Sequence, residues 1–101
     1  LVAEAVVRRE FDKGVLIDGF GGAVCMAANK VPGCRAVAAY DSVSARMAAQ
    51  HDDANVLCIG GKSHGELIHA EILKVFFSTP FEGGRHSGRL AKDHAIEGYR
   101  K

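Results

Sequence analysis

A carboxylate followed by closely spaced glycines stands out in the segment GVLIDGFGGAVCMAANK, residues 14–30. The residues of this turn are Asp18, Gly19, Phe20, Gly21 and Gly22. Glycines allow a backbone to approach a ligand closely, and N–H groups at the start of a helix attract anions. The segment therefore predicts a turn that binds a phosphate or stabilises the oxyanion of an enediolate. A tight strand-to-helix turn capped by Asp18 is the other interpretation, because the spacing matches neither GxGxxG nor a Walker loop.

A histidine and two aspartates precede the next candidate strand in the segment QHDDANVLCIGGK, residues 50–62. His51 has a side chain that can transfer protons near neutral pH. It reaches the sheet edge that carries Asp18 only if its loop bends back, and otherwise it is a solvated or capping residue. Asp52 and Asp53 are metal-ligand types, but adjacent side chains point in different directions, so the pair does not favour a metal site.

Three cationic side chains are candidates for binding an anion. Arg85 and Arg89 are four residues apart in FEGGRHSGRL, which places both on one face of a helix. Guanidinium groups bind phosphates and carboxylates well, so this pair, with His86 beside it, suits such a ligand. A solvated basic face is the alternative. Lys62, in the GGK turn after the third apolar run, is expected at the same edge as the glycine turn.

The composition excludes several classes of protein. The chain has 101 residues, of which 48% are hydrophobic and 25% charged, as expected for one small globular domain. A formal net charge of +1 gives no electrostatic case for nucleic-acid binding. No apolar run approaches the ~18 residues of a membrane span, and no signal peptide is visible. Cys25, Cys34 and Cys58 form an odd set without a CxxC pair, which indicates reduced thiols in a cytoplasmic protein.

Alternating apolar and helical segments must position the candidate residues. Short apolar runs at 14–17, 35–40 and 55–60 suit strands that are buried on both faces of a parallel sheet. Helical patterns occupy residues 23–30, 41–50 with Asp41 or Ser42 as N-cap, 65–78 and 86–99. Met26 and Met47 are expected to fill the core. This alternation predicts a doubly wound α/β fold, in which the strand-to-helix loops share the ligand-binding edge of the sheet.

Three motifs, taken in order, resemble a known family. AANKVPGCRA, SARMAAQHDDANVLCIGGK and TPFEGGRHSGRL are similar to the type B ribose-5-phosphate isomerases and the galactose-6-phosphate isomerase subunits, from about Val2 to Tyr99. The resemblance implies a three-layer α/β/α sandwich around a parallel, Rossmann-like sheet, with residues 1–101 forming a single sugar-phosphate isomerase domain. It also implies a homodimer or tetramer with sites at the subunit interface. The implied reaction interconverts an aldose phosphate and a ketose phosphate through a cis-enediolate, without metal or cofactor.

The resemblance also implies roles for individual residues. His51 matches the family's ring-opening histidine, and Asp52 lies beside it in the same motif. Arg85 and Arg89 match arginines that bind the phosphate in the neighbouring subunit's site. Lys62 stands where many members have an arginine. Gly19 and Gly21 match the family's anion-binding turn, and Phe20 and Gly22 are candidates for substrate binding in the same turn.

The sequence departs from the family pattern in three places. Asp18 stands where many members have a catalytic cysteine, and a carboxylate can serve as the base for enolisation. Phe20 replaces a hydroxyl-bearing residue and Ala23 replaces a glycine, which narrows the expected pocket and suits a shorter sugar phosphate such as a tetrose. The first strand and loop of the family, about 40–50 residues by comparison, are not in the sequence. The alternatives to a ribose-5-phosphate isomerase are therefore an isomerase of another sugar phosphate, tetrose or hexose, or a non-catalytic phosphate-binding partner subunit.

Overall fold

The strands of one parallel sheet carry apolar side chains on both faces, and helices cover both of them. The computed structural model describes residues 2–62, 65–84, 88 and 90–92. The strands are β1 (Gly14–Asp18), β2 (Ala36–Ala38) and β3 (Val56–Gly60). The helices are α1 (Val2–Val7), α2 (Gly22–Ala28), α3 (Ser42–Gln50) and α4 (Glu66–Ser78). All the strand pairs are parallel, in the order β1-β3-β2.

The middle strand β3 shows why the fold has three layers. All five of its residues are buried, and their side chains alternate between the two faces of the sheet. Val56 and Cys58 belong to the core cluster formed with α1 and α2. Leu57 and Ile59 belong to the cluster formed with α3 and α4. The predicted α/β/α sandwich with a parallel sheet is therefore confirmed.

Small residues on α3 bring that helix close to the sheet. Ala45, Ala48 and Ala49 are buried in the cluster on this face of the sheet. Ile72 and Phe76 of α4 fill the rest of the cluster and are fully buried. Among the described residues, no helix has the length and apolar character needed to cross a membrane.

The predicted elements are present, with some different boundaries. β2 is shorter than residues 35–40 because the N–H groups of Tyr40 and Asp41 both donate to the hydroxyl oxygen of Ser44, at 2.9 and 3.2 Å. Asp41 is the N-cap of α3, and its carboxylate accepts from the Ser44 N–H at 2.7 Å. Residues 88 and 90–92 of the predicted last helix are helical, and the rest of 86–99 lies outside the described residues.

The two methionines do not fill the core, so that expectation was wrong. Met26 is 67% exposed and Met47 is 37% exposed. Alanines take the inward positions of the same helices, namely Ala28 on α2 and Ala48 on α3. A methionine side chain on these short helices therefore points away from the sheet.

Two asparagines satisfy backbone groups at the start of β2. The side chain of Asn29 donates to the carbonyl of Ala36 at 2.8 Å and accepts from the Ala36 N–H at 2.8 Å. Asn55 accepts from the Arg35 N–H at 2.7 Å and donates to the carbonyl of Gly33 at 3.0 Å. These bonds join the segment between α2 and β2 to its neighbours, which explains the asparagines in the AANK and DANVL motifs.

The three cysteines lie on one face of the sheet, between the strands and α2. Cys34 and Cys58 are buried, and Cys25 is half-buried. Loss of hydration by burial, together with smaller effects of the neighbouring Cys25 and Cys34 thiols, raises the pKa of the Cys58 thiol to about 12. Because the thiolate is the reactive form, Cys58 is a packing residue.

This raised pKa predicts a loss of stability in alkali. Above pH 9.0 the thiol of the unfolded chain ionises, whereas the Cys58 thiol of the folded chain stays protonated up to about pH 12. The unfolded state then binds fewer protons, so the free energy of unfolding falls by at most ~1.4 kcal/mol per pH unit across this window. Urea unfolding between these pH values should show a shallower fall for Cys58→Ala than for the wild type. An equal fall with pH in the variant and the wild type would contradict the raised pKa of Cys58.

Candidate active site

Asp18 ends β1 at the carboxyl edge of the sheet, where its side chain is exposed. It is paired with Gly60 of β3 in the parallel register. Its backbone carbonyl accepts from the Gly61 N–H at 2.6 Å, which continues the contact between the two chain segments beyond the strands. Its carboxylate accepts from the Gly19 N–H at 2.7 Å. The carboxylate is therefore fixed at the start of the glycine turn and remains open to a ligand.

Gly21 brings the turn against the end of β3. Its φ angle of +97° lies in the left-handed region. A Cβ at this position would lie 3.0 Å from the nitrogen of Gly60 and 3.1 Å from the carbonyl carbon of Ile59. Conformation and close approach therefore both require glycine. No side chain in the described part of the chain caps α2, so N–H groups at this turn are available to a ligand or to water.

Lys62 lies beside the same turn, as the sequence predicts. Its backbone N–H donates to the carbonyl of Gly19 at 3.1 Å. Its Cδ atom lies 3.8 Å from the position that a Cβ of Gly19 would occupy, so the apolar stem covers Gly19. The side chain is exposed. A positive charge therefore borders the turn, where it would favour an anionic ligand.

Two aromatic rings form the other border of this turn. The centroids of Phe20 and Tyr40 are 6.1 Å apart, and the rings are tilted by 37°. Phe20 is 68% exposed and Tyr40 is 39% exposed. Tyr40 was missed in the sequence, although its place just after a predicted strand was the available signal.

His51 and Asp52 lie at the opposite edge of the sheet from Asp18. The N–H groups of both residues donate to the carbonyl of Met47, at 2.9 and 3.3 Å, so they stay against the end of α3. β3 then runs from Val56 to the Asp18 edge. At about 3.3 Å per residue, the length of β3 alone separates the two edges by roughly 13 Å. The loop does not bend back, so His51 and Asp18 do not meet within one chain.

The segment after α4 returns to the edge that carries His51. The Glu82 N–H donates to the carbonyl of Gln50 at 2.9 Å, next to the end of α3. Arg85 and Arg89 follow and lie outside the described residues. The candidate residues thus fall into two groups. The base half-site is Asp18, Gly19, Phe20, Gly21, Gly22 and Lys62, and the histidine half-site is His51 and Asp52.

One further histidine, His69, contacts the end of β3 beside the base half-site. The Nε2 atom of His69, on α4, lies 3.2 Å from the carbonyl oxygen of Gly60. Because a carbonyl only accepts, this nitrogen carries the proton and donates. The sequence analysis assigns no role to His69. Among residues 2–62, 65–84, 88 and 90–92, no three His, Cys, Asp or Glu side chains form a group that would hold a metal ion.

One cavity among the described residues lies away from this turn. It has a volume of about 390 Å³ and lies at the opposite edge of the sheet, lined by residues that include Arg9, Phe11, Arg35 and Asn55. The guanidinium group of Arg35 already donates to the Asp53 carbonyl at 2.7 Å and to the Asp53 carboxylate at 3.4 Å. The Arg35 charge is therefore paired with Asp53, and we assign no chemistry to this cavity.

The geometry of Gly21 predicts a position-specific effect of adding one methyl group. Gly21→Ala should lower the free energy of unfolding by about 2 kcal/mol or more, from the left-handed φ angle and the contact with β3. Gly65→Ala is the matched control, because its φ is −79° and, its chain neighbours aside, no described residue lies within 4 Å of its Cβ position. Urea unfolding measures both variants. Equal stabilities would show that the turn does not pack as described.

Known proteins are similar to this chain in sequence and in architecture. The profile of the Ribose/Galactose Isomerase family matches residues 1–92. Ribose-5-phosphate isomerase B of Escherichia coli is 41% identical over 96 residues, which are 95% of this chain and 64% of that protein. The chain spans 61 to 64% of the length of such curated relatives.

Solved structures agree. Ribose-5-phosphate isomerase B of Clostridium thermocellum superposes with a TM-score of 0.97 at 41% identity, covering 99% of this chain and 68% of that one. Ribose-5-phosphate isomerase B of Mycoplasma genitalium was solved with bound ribulose 5-phosphate. It superposes with a TM-score of 0.92 at 40% identity, covering 96% of this chain and 64% of that one. Because the family profile matches nearly the whole length of this chain, the chain belongs to the ribose/galactose isomerase family.

Proposed function

We propose that the protein is a sugar-phosphate aldose–ketose isomerase that interconverts ribose 5-phosphate and ribulose 5-phosphate. The observation that carries the proposal is the placement of Asp18, an exposed carboxylate held at the start of a left-handed glycine turn. Such a turn offers backbone N–H groups to an oxyanion, while the carboxylate can move a proton on the adjacent carbon. Relatives at about 40% identity named ribose-5-phosphate isomerase B support this substrate, and a cytoplasmic location suits it.

The proposed reaction moves one proton between two neighbouring carbons. Asp18 removes the proton from C2 of the open-chain aldose, and the electron pair forms a cis-enediolate with negative charge on the C1 oxygen. N–H groups of the 19–22 turn and the nearby charge of Lys62 stabilise that oxygen. The protonated Asp18 returns the proton to C1, and the C2 hydroxyl transfers its proton to the C1 oxygen, which leaves a C2 ketone. Every proton and electron pair is accounted for without a cofactor.

A complete site would require two copies of the chain. The histidine half-site lies at the far end of β3 from the base half-site, and the segment leading to Arg85 lies with it. We therefore propose a homodimer, or a tetramer built from such dimers, in which each site joins the base half-site of one copy to the histidine half-site of the other. His51 of the second copy would then assist ring opening, with Asp52 binding the substrate beside it. Arg85 and Arg89 of that copy would bind the phosphate.

Removing the carboxylate charge should affect the chemical step. Asp18→Asn keeps the size of the side chain but removes the base, so kcat should fall about 10²- to 10⁴-fold while KM changes little. Asp12→Asn, an exposed aspartate at the other edge of the sheet, is the control and should retain wild-type kcat. Ketose formation from ribose 5-phosphate measures both. An unchanged kcat in Asp18→Asn would remove Asp18 from the mechanism.

Mixing two inactive variants tests the shared site. Asp18→Asn and His51→Ala should each be inactive alone, but a heterodimer of the two contains one site with both native residues. After mixing, unfolding and refolding at equal concentrations, half of the dimers are mixed and activity should reach about a quarter of the wild-type value. Sites formed within single chains would show no recovery.

The alternative function is a phosphate-binding partner subunit without chemistry of its own. Phe20 favours it, because this exposed ring stands where the family has a hydroxyl-bearing side chain. Such a subunit would bind ribose 5-phosphate in a calorimeter and give no ketose. An isomerase of a tetrose or hexose phosphate would instead turn over one of those sugars faster than ribose 5-phosphate.

A further inference from the structure

Two aromatic side chains meet across the end of the middle strand. Phe20 follows β1 and Tyr40 follows β2, and these strands flank β3 on opposite sides. A ring contact at 6.1 Å between them therefore spans the end of β3, where Gly60 and Gly61 continue to Lys62. The pair lies on the carboxyl edge of the sheet, together with the base half-site.

Phe20 packs on a glycine that leaves room for its ring. A Cβ at Gly22 would lie 3.3 and 3.4 Å from two ring carbons of Phe20, so the ring lies directly against the first residue of α2. The same ring remains 68% exposed. It is thus supported by the turn and by Tyr40, and most of its surface remains accessible to a ligand.

The position of this ring restricts how much of a ligand fits. Asp18 and the turn would fix the reacting carbons of the substrate, and Phe20 is two residues from Asp18 in the same turn. The ring occupies space and has no polar atom to bond a sugar hydroxyl, so each additional hydroxylated carbon near it would lose hydration without compensation. Shorter chains avoid this cost.

We propose that Phe20, supported by Tyr40, sets an upper limit on substrate length, so that the site accepts sugar phosphates of five carbons or fewer and discriminates against six-carbon chains. The inference rests on the proposed isomerase function. Phe20 determines specificity by volume, and Tyr40 positions it by ring contact. The hydroxyl of Tyr40 has no part in this discrimination.

The test compares ribose 5-phosphate with allose 6-phosphate as substrates of the complete protein. Phe20→Ser should raise the ratio of kcat/KM for the six-carbon over the five-carbon substrate at least about tenfold, the usual effect of relieving one crowded carbon. Phe20→Leu, which keeps an apolar side chain of intermediate size, should raise it less. Tyr40→Phe should leave the ratio unchanged, because the ring is retained.

Phe77→Ser is the matched control. Phe77 is 54% exposed and its ring contacts Phe76 at 5.3 Å, but it lies on α4 away from the turn. Its loss should leave the ratio unchanged. Any of three results would overturn the inference. The ratio could be the same in Phe20→Ser and the wild type, it could shift equally in Phe77→Ser, or the wild type could prefer the six-carbon substrate.

A second measurement separates this inference from the proposed function. Dissociation constants for the aldonic acids 5-phosphoribonate and 6-phosphogluconate can be measured by calorimetry without turnover. If the wild type isomerises no sugar phosphate, the isomerase proposal fails. The length limit still holds if Phe20→Ser strengthens binding of the six-carbon acid relative to the five-carbon acid, and it fails if that relative affinity is unchanged.

Discussion

The close approach of Gly21 to the end of β3 is the contact on which the candidate site depends. A Cβ there would lie 3.0 Å from the backbone of Gly60, so the turn and the middle strand pack with no side chain between them. This contact orients the turn, and the hydrogen bonds from Gly61 to Asp18 and from Lys62 to Gly19 extend it on both sides. The base half-site is therefore a property of two chain segments about forty residues apart, packed backbone to backbone.

The sequence predicts the base half-site because simple geometry governs it. Carboxyl ends of parallel strands meet at one edge of a sheet, so residues that follow β1 and β3, such as Asp18 and Lys62, must be neighbours. The same geometry places His51, which precedes β3, at the opposite edge unless its loop bends back, and the hydrogen bonds to Met47 keep it there. The Phe20–Tyr40 contact depends on β3 lying between strands that precede it in the sequence, and periodicity does not reveal that order.

The two half-sites lie far apart in one chain, so neither constrains the geometry of the other. Each half-site uses one edge of the same sheet, and β3 separates them by its own length. The cores on the two faces of β3 keep that separation constant. In a symmetric pair, an isologous interface would bring unlike edges together twice, so one contact would complete two sites.

The strand order has a consequence for how the protein emerges during synthesis. β3 is the last of the described strands in the sequence, yet it occupies the middle of the sheet, and both earlier strands pair only with it. Until residues 56–60 leave the ribosome, β1 and β2 have no partner among these strands, and their apolar faces depend on transient helix contacts. The glycine turn acquires its shape only when β3 inserts. A nascent chain would therefore gain its sheet and its base half-site in the same late step, and its unpaired strand edges would be exposed to aggregation before it.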